Sequence, residues 1–248
     1  MRVGALFSGG KDSTYAAYLA SRSHELACLI TVFPESDASY MFHYPDLKWT
    51  ALQAEAMGLP QVRQESPGMK EEELEDLAAA FRRAKELHGI QGVFTGALAS
   101  AYQKARVERV CGSEGLACFS PLWGSDPEQH LRRLVSEGFV SVMVSVSALG
   151  LDRSWLGRVL DDGAVTELVA LSRRFRFHAG LEGGEGETFV TDCPMFRSRV
   201  EVVSAETRWR GDAGIYEITE ARLVEKPAPT AGEASFRGLD PRSPGFPP

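Results

Sequence analysis

The sequence predicts an α/β fold, a doubly wound parallel sheet of five strands followed by a smaller α+β domain. Three observations carry this expectation. Short apolar runs alternate with amphipathic stretches through the first half, the pattern of strands joined by crossover helices. A glycine-rich loop links the first apolar run to the first amphipathic stretch. The rhythm then breaks at Ser120-Pro121, since the residue before a proline is pushed out of the helical region.

The elements follow in order. Strands are expected at Val3–Phe7, Leu26–Phe33, Val62–Glu65 and Gly92–Gly96, separated by helices at Lys11–Arg22, Asp46–Gly58 and Lys70–His88. A helix over Ser100–Gly112 and a short strand over Ala117–Ser120 complete the first layer. Beyond the proline come a helix near Pro127–Glu137, a β run Phe139–Ser147 and a helix Ala164–Phe175. A glycine-rich stretch and two strands near Arg199–Trp209 and Ile215–Val224 close the smaller unit. The boundaries read from this are 1–122, 123–226 and a tail 227–248. Six of the thirteen prolines fall in that tail, which has too few aliphatic residues to order itself and is expected to be flexible.

Composition narrows the function. Of 248 residues, 44% are hydrophobic and 25% charged, values of a folded globular chain. The formal charge is −7, which argues against non-specific binding to nucleic acid or to an anionic membrane. No apolar run approaches the roughly 18 residues that span a bilayer, and a cytoplasmic location is the expectation. Cys28, Cys111, Cys118 and Cys193 contain no C-x-x-C pair, so they read as reduced thiols rather than as a zinc or disulfide framework.

The strongest local signal is Ser8-Gly9-Gly10-Lys11-Asp12-Ser13-Thr14, between the first strand and the first helix. Glycines let the backbone approach an anion, and the amides and dipole of a helix N-terminus favour negative charge there. Hydroxyls and Lys11 add direct ligands, and Lys11 and Asp12 are expected on an exposed loop. Walker A fails, because Ala5 stands where its first glycine belongs and Asp12 follows the lysine. The bland alternative is a glycine turn with a Ser or Asp N-cap.

Three further segments are informative: Ser39–His43 after the second strand, Gly96–Glu108 from the fourth strand into a helix, and Glu182–Pro194. In open α/β sheets ligands bind beyond the carboxyl ends of strands, so the first two have the right address. Tyr102, Arg106 and Arg109 share one helix face that could meet a phosphate or carboxylate, or could be an ordinary solvated surface. Glu182, Glu185 and Glu187 lie amid glycines before a β run, where they could orient an ammonium ion, accept its proton or hold magnesium.

The loop Ser-Gly-Gly-Lys-Asp-Ser resembles the PP-loop of the ATP pyrophosphatases, whose adenine-nucleotide α-hydrolase (HUP) fold splits ATP into AMP and pyrophosphate. With Ser39–His43, Gly96–Glu108, Pro121-Leu122-Trp123, Gly150-Leu151, Trp155-Leu156-Gly157 and Glu182–Pro194, most of residues 1–225 resembles the diphthine–ammonia ligase family, including its archaeal members. Two departures stand out: Leu181 replaces a usual glycine, and Gly186 a customary aromatic.

The resemblance implies ATP-dependent amidation of the diphthine carboxylate on the translocation elongation factor, with ammonium as nitrogen donor and an acyl-adenylate intermediate. It implies ATP and Mg²⁺, no direct nucleic acid and no membrane, and leaves room for a homodimer. Ser8, Gly9, Gly10, Lys11, Asp12 and Ser13 would hold the phosphates, with Asp12 a candidate magnesium ligand. His43, Tyr102, Gln103, Arg106 and Glu108 would lie on the substrate side. Glu182, Glu185 and Glu187 would bind ammonium or substrate. Lys11, Asp12, Arg106, Glu185 and Glu187 are the candidate catalytic residues. The rival readings are a related pyrophosphatase acting on another carboxylate, a tRNA-modifying adenylase, which would call for catalytic cysteines, and a non-enzymatic nucleotide-binding protein.

Overall fold

A computed structural model describes residues 1–34, 46–67 and 72–226. The expectations for Ser39–His43, His43 included, and for the tail 227–248 fall outside the described residues.

The first half is a five-stranded sheet of β1 (Arg2–Leu6), β2 (Glu25–Pro34), β3 (Gln61–Ser66), β4 (Gly92–Phe94) and β5 (Ala117–Phe119). The order is β3-β2-β1-β4-β5 and every pairing is parallel, as expected of a doubly wound α/β layer. The crossovers are α1 (Lys11–Ser23), α2 (Thr50–Met57), α3 (Glu72–His88) and α4 (Ala101–Ser113). The helix expected from Asp46 begins as a 3-10 turn, Leu47–Trp49, because Asp46 sits at φ 65°, outside the helical region.

Period-two alternation divides the sheet's two faces. On β2, Leu29 packs in the core with α1 and α2, while Cys28 and Ile30 pack in the core of α3 and α4. Both faces are covered, which is why these strands read as nearly continuous apolar runs.

The second unit contains α5 (Pro127–Ser136), β6 (Val140–Val146), α6 (Asp162–Phe175), β7 (Gly186–Asp192), β8 (Ser198–Arg210) and β9 (Ala213–Glu225). Its four strands form an antiparallel sheet in the order β7-β6-β9-β8. Asp126 caps α5 by accepting from the Gln129 amide, with Pro127 in the first turn, and Asp161 caps α6 through the Ala164 amide. β7 is the β run expected after the three glutamates, but it begins at Gly186, so Glu187 lies within the strand rather than before it.

The two units share a core. The buried cluster that contains Val3, Ala5, Tyr15 and Leu29 continues through Leu131, Val144, Leu168, Phe189 and Ile218. Polar contacts reinforce the join: Val190 N–H donates to the Gly9 carbonyl at 2.9 Å, and the buried Gln53 amide donates to the carbonyls of both Gly9 and Val190.

Candidate active site

In the order β3-β2-β1-β4-β5 the succession of strands reverses between β1 and β4, and a crevice opens beyond the carboxyl ends of those two parallel strands. A pocket of about 910 Å³, counting its open mouth, lies there. It is lined by Phe7, Ser8 and Gly10–Ser13 of the loop, by Thr95, Gly96, Gln103 and Val107, and by Leu181, Glu182, Glu187 and Thr188 of the second unit.

The phosphate loop is built by backbone constraints. Gly9 holds φ 80°, a left-handed conformation that disfavours a side chain. Gly10 is the N-cap of α1 and has no side chain with which to cap it, so the Ser or Asp cap of the bland alternative does not form. The Lys11 amide donates instead to Thr188 Oγ1 at 3.1 Å. The Asp12 and Ser13 amides precede the first helical bond, Thr14 N–H to Gly10 O, and so remain donors at a helix N-terminus. Gly96 is required by close approach, because a Cβ there would lie 2.6 Å from the Ser13 nitrogen.

Lys11 and Asp12 depart from the exposed loop expected of them. Lys11 is 4% exposed, and its ammonium donates to Asp12 Oδ2 at 2.5 Å and to the Gly180 carbonyl at 2.7 Å. The other Asp12 oxygen meets His130 Nε2 at 2.7 Å. Burial alone would depress Lys11, but Asp12, Glu182 and Glu187 beside it override burial and hold its pKa above the ordinary value. Burial likewise opposes ionisation of Asp12, and Lys11 and His130 override it, so Asp12 titrates below its usual range.

The acidic segment divides. Glu182 Oε2 accepts from the amides of Leu98 and Ala99, both at 3.2 Å, tying the second unit to the segment between β4 and α4. Burial, with Asp12 adding repulsion, raises its pKa. Glu187 stands on β7 rather than in the loop, and burial, outweighing the attraction of Lys11, pushes it up to about 8. Glu185, expected beside them, does not line the pocket; its carboxylate accepts from the backbone amides of His178 and Gly183 and braces the turn. Leu181 adopts φ 65°, a left-handed conformation that suits the glycine expected at this position.

On α4, Gln103 reaches the pocket, whereas Tyr102, Arg106 and Glu108 do not line it. The Arg106 guanidinium stacks on the Tyr102 ring at 4.1 Å, and Glu108 pairs with Lys104 on an exposed face. Cys111 and Cys118 belong to the core on the α3–α4 side and also lie outside the pocket lining.

Sequence reasoning missed His130, Thr188 and Gln53. A buried histidine at helical spacing gives no local signal of its partner, and these contacts join residues 118, 177 and 44 positions apart.

Among the described residues, no group of three or more His, Cys, Asp and Glu side chains is arranged to hold a metal ion. Both Asp12 oxygens are already engaged by protein donors. With both of its oxygens taken by protein donors, Asp12 does not fit the role of a resident magnesium ligand.

Comparison with known proteins matches residues 1–118 to the N-terminal domain and residues 126–224 to the C-terminal domain of diphthamide synthase. The human diphthine–ammonia ligase is 35% identical over 245 residues, 91% of this chain and 91% of the human protein. The chain belongs to the diphthine–ammonia ligase family. The mouse diphthine–ammonia ligase is 37% identical over 83% of this chain and 84% of the mouse protein. The Schizosaccharomyces pombe relative is longer: the match covers 92% of this chain and 40% of that protein, at 34% identity. Diphthine–ammonia ligases form a carbon–nitrogen bond, and this chain is an enzyme of that class. Membership carries with it the use of ATP. No helix among the described residues is long and apolar enough to cross a membrane.

Proposed function

We propose that this chain uses ATP and ammonium to convert the diphthine carboxylate of the translocation elongation factor to an amide, through an acyl adenylate. The observation that carries the reading is one pocket lined both by a phosphate-type loop and by the carboxylates of Glu182 and Glu187.

Ammonia cannot displace an oxide-like group from a carboxylate, so the carboxylate must first be activated. A substrate carboxylate oxygen attacks the α-phosphorus of ATP, the bond to the β-phosphate bridging oxygen breaks, and pyrophosphate leaves. Lys11 and the first-turn amides of α1 bear the charge that develops on it. Ammonia then attacks the acyl carbon and AMP departs. The proton that ammonium must lose before attack passes to Glu187, whose raised pKa makes its carboxylate a better base than an ordinary glutamate. Glu182, fixed by two amides, holds the cation beside it. Magnesium would enter only with the nucleotide, where it would supply charge neutralisation on the phosphates.

Gln103 is the α4 residue best situated for substrate; Arg106 is stacked on Tyr102 and Glu108 is paired with Lys104, outside the pocket lining. The test is incubation with ATP, ammonium and a diphthine-bearing elongation factor. The reading expects AMP and pyrophosphate, no ADP, and a carboxyl-to-carboxamide mass change on the factor. AMP release that ignores diphthine but responds to another carboxylic acid would assign the pocket to a related pyrophosphatase. ATP binding without turnover would make it a nucleotide sensor.

A further inference from the structure

We infer that His130 is a positioning residue for the phosphate loop: its imidazole fixes the Asp12 carboxylate, and through it the Lys11 ammonium, in the geometry that receives a polyphosphate. This rests on the reading of the pocket as an ATP site.

The contacts form one chain. His130 Nε2 lies 2.7 Å from Asp12 Oδ1, and Asp12 Oδ2 lies 2.5 Å from Lys11 Nζ. The side chains at the two ends are 2% and 4% exposed, so water does not supply alternative partners there. An ionised carboxylate can only accept, so Nε2 is the donor. Asp12 held by Lys11 alone could rotate with the flexible lysine; a second donor on its other oxygen sets the plane of the carboxylate.

The imidazole is itself held firmly. His130 sits one turn into α5, behind the Asp126 cap. Its ring meets Tyr15 edge-on at 5.4 Å, and the Tyr15 hydroxyl donates to Glu137, just past the end of the same helix, at 2.9 Å. Tyr15 lies on α1, the helix that Lys11 opens. Two helices from the two units are thus joined around the loop's charged pair.

His130 does not line the pocket, so it acts through Asp12 rather than on the nucleotide. With the ammonium already placed, a bound polyphosphate does not have to order a four-carbon side chain on arrival. A hydrogen bond to a charged group contributes enough that its loss should appear as about a 10- to 100-fold effect.

The experiment compares the full chain with His130→Leu, which fills similar space without a donor, and His130→Gln, whose amide can donate from a similar position. AMP release gives kcat and KM for ATP, and thermal melting reports the fold. The expected result is His130→Leu melting cooperatively with kcat/KM for ATP reduced about 10- to 100-fold, and His130→Gln recovering most of the loss. Equal losses in the two variants, or wild-type kinetics in His130→Leu, would overturn the inference. NMR of the ring supplies a readout independent of activity and of whether His130→Leu folds. A solvent-protected His130 Nε2–H signal should be present in the wild type and lost in Asp12→Ala, and its persistence unchanged in that variant would also overturn the inference. Absence of AMP release from the wild type, with the NMR result intact, would refute the ligase reading and leave the His130–Asp12 contact standing.

Discussion

Glu187 is a carboxylate whose proton affinity the fold raises, and replacing it with glutamine tests both its burial and its role. The unfolded chain gives up this proton near 4.5 and the folded chain near 8. Between those values the folded state binds more protons, so this group's contribution to stability falls as pH rises from about 4.5 to about 8 and is flat above. At about 1.4 kcal/mol per tenfold change in proton affinity, the difference sets a ceiling of about 5 kcal/mol. Water in the open pocket screens part of it, which leaves about 2–4 kcal/mol. Glu187→Gln removes the titration while keeping the shape. For a chain of this size that is a melting-temperature gap of roughly 5–15 °C, opening between pH 4 and pH 9 with the glutamine variant the more stable. Differential scanning calorimetry without nucleotide measures it. Parallel melting curves for the two proteins across that range would refute the claim that the folded protein holds this proton. In turnover assays the variant should bind ATP and lose the ammonium-dependent step.

Three other perturbations have defined outcomes. Lys11→Ala should abolish AMP release and also destabilise the protein by about 1–3 kcal/mol, because it leaves the part-buried Asp12 carboxylate with His130 as its remaining partner; calorimetry beside the activity assay checks both, and an unchanged melting point would contradict the pair. Leu181 is 5% exposed yet left-handed, so Leu181→Gly and Leu181→Ala both lose core packing, but only glycine relieves the backbone, a term of about 1–2 kcal/mol. Urea unfolding should therefore rank glycine above alanine by about 1 kcal/mol, the reverse of the usual order. Asp46 accepts from the Ile218 amide at 2.9 Å, and burial pushes its pKa up to about 6. Its contribution to stability is present below pH 4 and is lost as pH rises through 6. Asp46→Asn, which tolerates the left-handed φ, should gain up to about 3 kcal/mol at pH 8 and little at pH 4; equal gains at both pH values would count against it.

What the sequence by itself determined was whatever depends on neighbours in the chain. The period-two and period-3.6 patterns made the parallel layer legible, because each strand and helix buries its own apolar face. The phosphate loop was legible because strand, glycines, lysine and helix start are contiguous, and a helix N-terminus attracts anions wherever it sits. Tertiary structure decided the rest. Lys11 looked exposed on its loop and is buried, since the second unit packs over it through Gly180 and Thr188. Glu185 and Glu187 looked equivalent in sequence, two residues apart; pairing of β7 with β6 puts Glu187 in the pocket while backbone amides take Glu185. His130 looked like any buried residue on an amphipathic helix, and only the packing of α5 on α1 brings it 2.7 Å from Asp12. The physical reason is one of range. Helix and strand preferences act over a few residues, whereas the charge balance of a pocket is set by groups that folding brings together from the whole chain.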